Sequence, residues 1–596
     1  MDNQRNLLLA VALSGLLIIG WSYVMQAFYP EAADTSPTEL VDPASSTSAG
    51  NVPGATTVAG DLGEGEAPAG PVDLSEALAD PQRVVIDTPK VAGSINLVGA
   101  RIDDIVLKDY RETVEKDSGP VRLLAPERTD NQYFAEFGFV VDGKQMPANA
   151  VWQADGERLT PTSPITLSRT DEAGIEYRIA LSIDEDYMIS AEQLADNATE
   201  RAAIIQPFAR IKRTSTNATP DEIIVHSGPI GVFGGTLHDP NSYEELAEIG
   251  RDTPQGAVSW LGFTDRYWHS ALVPGDGEVD TAGFNSLGDN LFVGGVVYRP
   301  KTIAAGATLT QSTRLFAGAK DSVILDQYED SGITYFGKAI SWGWFEWFEK
   351  PMLWLLRTLN GWIGNFGLAI IALTFIIRGL LFPIAQKQFA SMAQMKALQP
   401  KMKAIQERYK DDKQKQQQEI MQLYKDEKAN PLAGCLPLII QIPIFFALYK
   451  VLILAIEMRH EPFIEFWIRD LSAPDPWTIL NLFGLLPFEV PGFLGIGVLA
   501  VLLGFTMWLT FKLNPSAMDP MQQQIFNFMP WILMFVMAPF AAGLLLYWVT
   551  SNILTLAQQK YLYSKNPQLR AAAEKEKAEM AQKKAREEAE KEKGKA

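Results

Sequence analysis

With one cysteine in 596 residues, Cys435, the chain cannot form an intrachain disulfide. A large exported domain does not need one at this size, so the lack is compatible with an oxidising compartment such as the periplasm. Histidine is also scarce, with four in all. His226, His238 and His269 show no metal-ligand spacing, so structural or surface roles are expected of them and no metal or catalytic centre is assigned. No nucleotide-binding loop occurs, which excludes hydrolysis of a nucleotide as a driving force, and no cofactor is expected. Net positive charge is absent too. The formal charge is −19, and the stretch from Phe28 to Glu349 holds 23 Lys/Arg against 50 Asp/Glu. An acidic middle of this kind repels phosphate, so direct DNA binding is not expected.

The basic residues gather elsewhere. Lys387 to Leu432 carries 10 basic and 6 acidic residues, and Lys560 to Ala596 carries 11 and 7. Charge sorted in this way fits the positive-inside rule, with both basic segments cytoplasmic and the acidic middle outside.

Apolar runs supply the spans. Leu7 to Phe28 is long enough to cross ~30 Å of hydrocarbon, with Arg5 before it and Trp21, Tyr23 and Tyr29 after it. It reads as an uncleaved signal anchor (residues 1–28) rather than a cleaved signal peptide, because no convincing small-residue cleavage site follows. Residues 29–82 are rich in Ala, Ser, Thr, Gly and Pro and read as a flexible tether. From residue 83 to 332, short runs such as "RVVIDT", "YFAEFGFVV" and "EYRIALSI" alternate with period two between turn residues, which predicts an all-β sandwich ending in a short helix over Asp321–Gly332. Trp152, Trp260, Tyr267 and Trp268 in this region could stack on sugars, although core packing is the commoner use of such rings.

Residues 333–365 interleave Trp342, Trp344, Trp347, Trp354 and Trp362 with Glu346, Glu349, Lys350 and Arg357, the pattern of a helix lying in the headgroup layer. Residues 366–560 then hold five further spans: Phe366–Ala385, Gly434–Ile456, Phe493–Leu513, and two short ones within Ile525–Ala557 separated at Pro539 and Gly543. Six spans place both termini inside, and the short final pair implies local bilayer thinning. Between the second and third spans, residues 387–432 repeat Phe389, Met392, Met395, Leu398, Met402 and Ile405 at three or four residues, which predicts a cytoplasmic helical hairpin interrupted or kinked at Pro400. Its methionines suit either adaptable contact with apolar clients or packing of the hairpin itself. Residues 561–596 form a basic tail.

Arg378 in "LTFIIRGLLFP" is the residue that points to function. An arginine at a span centre costs ~2.5–3.5 kcal/mol. Lys450, Glu457 and Lys512 lie near span ends and can snorkel, whereas Arg378 is expected ~10 Å deep, with Thr374 one turn away on the same face. No Asp or Glu in the other spans can pair with it. Such a cation suits a wet cavity open to one side, where it could receive the acidic tail of a client chain. A snorkelling arginine is the bland alternative.

The segments "LTFIIRGLLFPIAQKQF", "NPLAGCLPLIIQIPIFFALY", "DPMQQQIFNFMP" and "GLLLYWVTSNILTLAQQ" together resemble the YidC membrane-protein insertase family over essentially the whole chain, and "WLGFTDRYWHSALVP" fits its external part. The resemblance, to the Gram-negative form with a large periplasmic domain, implies a polytopic α-helical bundle of six transmembrane helices plus a periplasmic all-β supersandwich in the inner membrane. It implies a groove open to cytoplasm and lipid, with Arg378 as its positive residue and client helices passing Ile442 and Phe445. Family members often carry Tyr-Tyr where this chain has Tyr547-Trp548, and Trp there resembles Gram-positive members. Nascent membrane proteins, the Sec translocon, the lipid bilayer and a ribosome docked on hairpin and tail are the implied partners, and no enzymatic step is implied. Two other classes remain open on the residues: a transporter or channel with Arg378 in an anion path, which calls for inverted repeats, and an anchored carbohydrate-active enzyme, which calls for paired carboxylates in the β region.

Overall fold

The computed structural model describes residues 71–216, 218, 225–239, 242–410, 412–427, 436–483, 485–486, 490, 495–513 and 520–565, all within one unit, Ala59–Ala596. The expected anchor (1–28), most of the tether, Cys435 and the tail beyond residue 565 lie outside them, as do the side chains of Met392 and Met395.

The end of the tether departs from expectation. Leu74–Leu78 is a short helix, α1, capped by Asp73, which accepts from the Ser75 amide, and Val72 N–H donates to the Arg128 carbonyl at 3.0 Å. Composition read these residues as free chain; the local cap of "DLSEAL" overrides it.

The β region folds as two sheets, one of twelve and one of nine strands. Pairing is antiparallel except for Val85–Ile86 against Arg158–Leu159. Residues Ile175–Ile183 show why the alternation was readable: Ile175, Tyr177, Ile179, Leu181 and Ile183 point to the core and the residues between are less buried. Ala203–Thr214 breaks that rule, being buried on nearly every residue, polar ones included. Its Arg210 pairs with Glu136, which also meets Arg101 at 3.4 Å, while Arg213 pairs with Asp265 at 2.5 Å. Burial alone would raise the Glu136 carboxyl, but the charges of Arg210, Lys212 and Arg101 more than offset it and hold it below its ordinary value.

His269 lies fully buried among Trp260, Phe316 and Phe336, its Nδ1–H donating to the Phe263 carbonyl at 3.1 Å. Burial, helped by the Lys320 charge, pushes the imidazole down to about 3. His226 bonds the Pro229 carbonyl and His238 pairs with Asp252, so these three histidines sit apart on different partners.

Helix α2 is Tyr243–Ile249, and α3, Ser322–Asp330, leads out of the sandwich. Two 3₁₀ turns, Phe336–Ala339 and Gly343–Phe345, then reach α4, Glu346–Ile363. The segment is tied back by Trp260 Nε1–H to the Thr334 carbonyl (3.0 Å) and by the buried Lys320 to the Ala339 carbonyl (3.1 Å).

The remaining helices are α5 (Phe366–Leu380), α6 (Phe382–Arg408), α7 (Lys413–Asp426), α8 (Leu436–Leu454), α9 (Val498–Leu513), α10 (Pro520–Met537) and α11 (Ala542–Lys565). No single described helix is both long and apolar enough to cross a membrane alone; α4 with its preceding turn and α5 satisfy that test together, bent by 120°. The expected span Phe366–Ala385 is thus cut short at Leu380. Pro383 opens α6 instead, where its missing N–H costs nothing. Pro400, expected to kink or interrupt the first arm of the hairpin, lies inside α6, which is not interrupted there. In that hairpin Phe389, Leu398 and Met402 are buried and Tyr424 Oη reaches Met402 Sδ at 3.3 Å, so Met402 packs the two arms together.

The break expected at Pro539 falls between α10 and α11, where Ala542 and Gly543 N–H donate to the carbonyls of Ala473 (2.7 Å) and Leu471 (2.9 Å). A Cβ on Gly543 would lie 2.9 Å from Leu452 Cδ2 and 3.1 Å from the Leu471 carbonyl oxygen. Asp475 caps α9 through the Leu499 amide and also accepts from Trp467 Nε1.

Lys450 departs from the expectation that it snorkels. It is buried, bonded to the Trp342 carbonyl, and 3.6 Å from the fully buried Glu349 of α4. Glu457, read the same way, pairs with Arg357. A carboxylate within reach makes pairing cheaper than extension to the surface.

Two outcomes follow. Below about pH 6.5 an unfolded chain protonates its histidine whereas folded His269 stays neutral, so stability falls on acidification. Glu136, with its lowered value, adds a loss of the same sign below about pH 4.5. Near-ultraviolet dichroism melts of the full chain in detergent should show His269→Gln flattening the slope between those two pH values; an unchanged slope refutes the assignment. Second, Lys450→Met alone should cost about 3–5 kcal/mol by stranding Glu349, and Lys450→Met/Glu349→Gln should recover much of it. Equal melting of single and double variants would show that the pair is not coupled.

Candidate functional site

The last turn of α5 carries Arg378, where a cation meets the partial negative charge of the helix C-terminus. Arg378 stands two residues from the end of α5, not seven, and it is half-buried.

Its support comes from α11. Arg378 Nε–H donates to Ser551 Oγ at 3.0 Å, and Nη2 donates to the same oxygen. Gln558 Nε2, two turns on, donates to the Arg378 carbonyl at 3.4 Å. Among the described residues no carboxylate lies within ion-pair distance of Arg378. One hydroxyl oxygen accepting two guanidinium N–H bonds leaves the remaining donors available for an anionic visitor.

Tyr547, one turn before Ser551, is fully buried, and its Oη accepts from Gln441 Nε2 of α8 at 2.7 Å. Asn552 Nδ2 donates to Thr506 Oγ1 of α9 at 3.1 Å. Trp548 meets Phe445 edge to face, with centroids 5.0 Å apart. Ile442 is exposed on α8. Arg378, Tyr547, Trp548 and Phe445 therefore lie on contacts among α5, α8 and α11, while Ile442 stands exposed on α8.

Thr374 does not join them. It is fully buried and donates to the Ile370 carbonyl of its own helix at 2.7 Å, the ordinary fate of a threonine inside an apolar helix.

Sequence reasoning missed Ser551, Gln441 and Gln558. A signal was present: in "YWVTSNILTLAQQ", Tyr547, Ser551, Thr555 and Gln558 recur at three or four residues and draw a polar stripe down an otherwise apolar helix.

Residues 83–355 match the model of the YidC periplasmic domain, and residues 358–569 match that of the 60Kd inner membrane protein family. A membrane protein insertase YidC from Zymomonas mobilis is 43% identical over 571 residues, covering 94% of this chain and 95% of that one. The chain belongs to the YidC family. A YidC insertase from Beijerinckia indica is 41% identical over 94% of this chain and 96% of its own. Among solved structures, an active YidC insertase with its first transmembrane domain resolved covers 80% of this chain and 92% of its own at 17% identity and a TM-score of 0.36. A galactose mutarotase-like protein from Lactobacillus casei covers 39% of this chain and 99% of its own at 10% identity and a TM-score of 0.26.

The Ser551 hydroxyl should be worth about 1.5–3 kcal/mol, the usual range for a hydrogen bond to a charged group. Ser551→Ala is expected to lower the melting point of the full chain in detergent, and to do nothing further once Arg378→Met is present. A loss of equal size in both backgrounds would mean that Ser551 acts by packing alone.

Proposed function

We propose that this YidC-family chain is an insertase and chaperone for newly made membrane proteins, acting from a polar groove beside Arg378 and releasing client helices sideways into the lipid, with or without the Sec translocon. The observation that carries the reading is Arg378 itself: a guanidinium among apolar helices, supported by a serine hydroxyl and the Tyr547–Gln441 layer instead of a carboxylate. A cation already paired with a carboxylate would have little to offer a client's acidic tail. This one keeps donors free.

The apolar surface supports a membrane setting. Phe375 and Leu380 on α5, Ile439 and Ile442 on α8, Phe505 on α9, and Phe528, Ile532 and Phe535 on α10 are all exposed. Exposed apolar surface of that extent belongs against lipid or a client. Helices α5, α8, α9 and α10 have 15, 19, 16 and 18 residues. At 1.5 Å per residue they measure about 22–28 Å, less than the ~30 Å hydrocarbon layer, so the bilayer around them should be thinned.

With α11 and the anchor they make six spans, the β region and 457–492 on the periplasmic side, and the hairpin and both termini in the cytoplasm. The 120° bend between the α4 and α5 segments suits a helix lying in the membrane plane before the chain turns to cross. The hairpin and tail are the surfaces assigned to a ribosome. Hydrophobic partitioning and the membrane potential, ~2.3 kcal/mol per charge per 100 mV, drive transfer in the absence of a nucleotide site.

The test is insertion of a small client with an acidic external tail into liposomes holding the pure full chain. Arg378→Ala should reduce its insertion about tenfold, the equivalent of ~1.4 kcal/mol, with Arg378→Lys milder and a neutral-tailed client little changed. No gain over empty liposomes rejects the function; equal effects on both clients reject the electrostatic role of Arg378.

A further inference from the structure

A second cleft, far from the groove in sequence, lies where the sandwich hands over to α4. It is a shallow, open cleft of about 540 Å³ lined by Lys338, Trp344, Glu346, Trp347, Lys350 and Pro351. We propose that this cleft binds the headgroup of a zwitterionic phospholipid with a primary ammonium, taken from the leaflet on the β-region side.

The charges form one connected network. The Lys338 ammonium bonds Glu346, whose other oxygen lies 2.9 Å from Lys350 Nζ. Lys350 Nζ also donates to Asp326 of α3 at 3.0 Å. Glu329, which accepts from the Gly337 amide beside Asp326 and Lys350, adds a third carboxylate to the two cations, so the cluster exerts no net pull on an anionic lipid. Each ammonium has three donors; Lys350 engages Glu346 and both oxygens of Asp326, whereas Lys338 commits one and retains capacity for a phosphate oxygen. Each carboxylate oxygen has two lone-pair sites, so Glu346 and Asp326 retain acceptors for a lipid ammonium. A tetra-alkylated ammonium offers those acceptors no N–H.

The indoles supply the apolar half. Trp344 and Trp347 are 67% and 68% exposed, although rings of that size are ordinarily sheltered from water. Trp347, Trp354 and Trp362, spaced by seven and eight residues, share one exposed face of α4. The opposite face buries Met352, Leu353, Leu356 and Leu359. Indoles at a membrane surface sit at headgroup level with the ring toward the acyl chains. A lipid whose headgroup occupies the charged cleft would lay its chains along this face.

The inference rests on reading α4 as an interfacial helix, and the test separates it from the insertase function. Native mass spectrometry of the full chain, released from detergent after incubation with equal amounts of dioleoyl phosphatidylethanolamine, phosphatidylcholine or phosphatidylglycerol, should show about threefold greater retention of the ethanolamine lipid than of either other. Glu346→Gln should bring the ethanolamine lipid down to the choline level. Lys338→Gln/Lys350→Gln should lower both, and Trp347→Leu, which leaves the ion network in place, should lower all three lipids alike. Equal retention of all three by the unaltered chain, preference for the glycerol lipid, or an ethanolamine preference that survives Glu346→Gln overturns the proposal. The same measurement on Arg378→Ala should keep the preference. Loss of lipid selectivity with insertion intact would sink this proposal alone, and the reverse would sink only the insertase reading.

Discussion

A guanidinium held by a hydroxyl is the constraint around which the helical half is arranged. A carboxylate opposite Arg378 would have made a tight, closed pair, the kind that stabilises a bundle and offers little to a visitor. Ser551 supports the side chain without neutralising it, and that single substitution of partner type leaves charge available among apolar helices. The same chain shows the other solution elsewhere, where Lys450 meets Glu349 and is removed from use. Two cations near apolar helices thus have opposite fates, and the partner decides which is structural and which is available.

The β region does its part through position. The turns after its exit helix α3 are stitched to the sandwich by Trp260 and Lys320, Asp326 ties α3 to α4 through Lys350, and the turn near Glu112 meets the segment after α8 through Arg459, which donates to the Arg111 carbonyl at 2.7 Å. Arg357 joins Glu457 and approaches Asp321 to 3.8 Å.

Much of this architecture was legible from local pattern. Period-two runs such as Ile175–Ile183 marked the strands, and the polar stretch between the two hairpin arms marked α6 and α7. Arg378 stood out because charge inside an apolar run is rare. What could not be read depended on partners distant in sequence. Nothing near Lys450 announces Glu349, 101 residues earlier, and nothing near Arg378 announces Ser551, 173 residues later. Helix ends were misjudged for a different reason: hydropathy continues smoothly from Leu380 into Phe382, whereas the backbone is governed by the single missing N–H of Pro383. Thr374 was misplaced because its helical phase is right and its hydroxyl is nonetheless consumed by its own backbone.

The turn between α10 and α11 has a further implication. There the main chain of Ala542 and Gly543 is sewn directly to Ala473 and Leu471, with no side chain mediating. That end of the bundle is sealed by the absence of a side chain at Gly543, against which Leu452 and Ile370 close. A seam built from backbone is indifferent to pH and salt. A single added methyl group at Gly543 would lie 2.9 Å from Leu452 Cδ2 and act as a wedge driven into this seam.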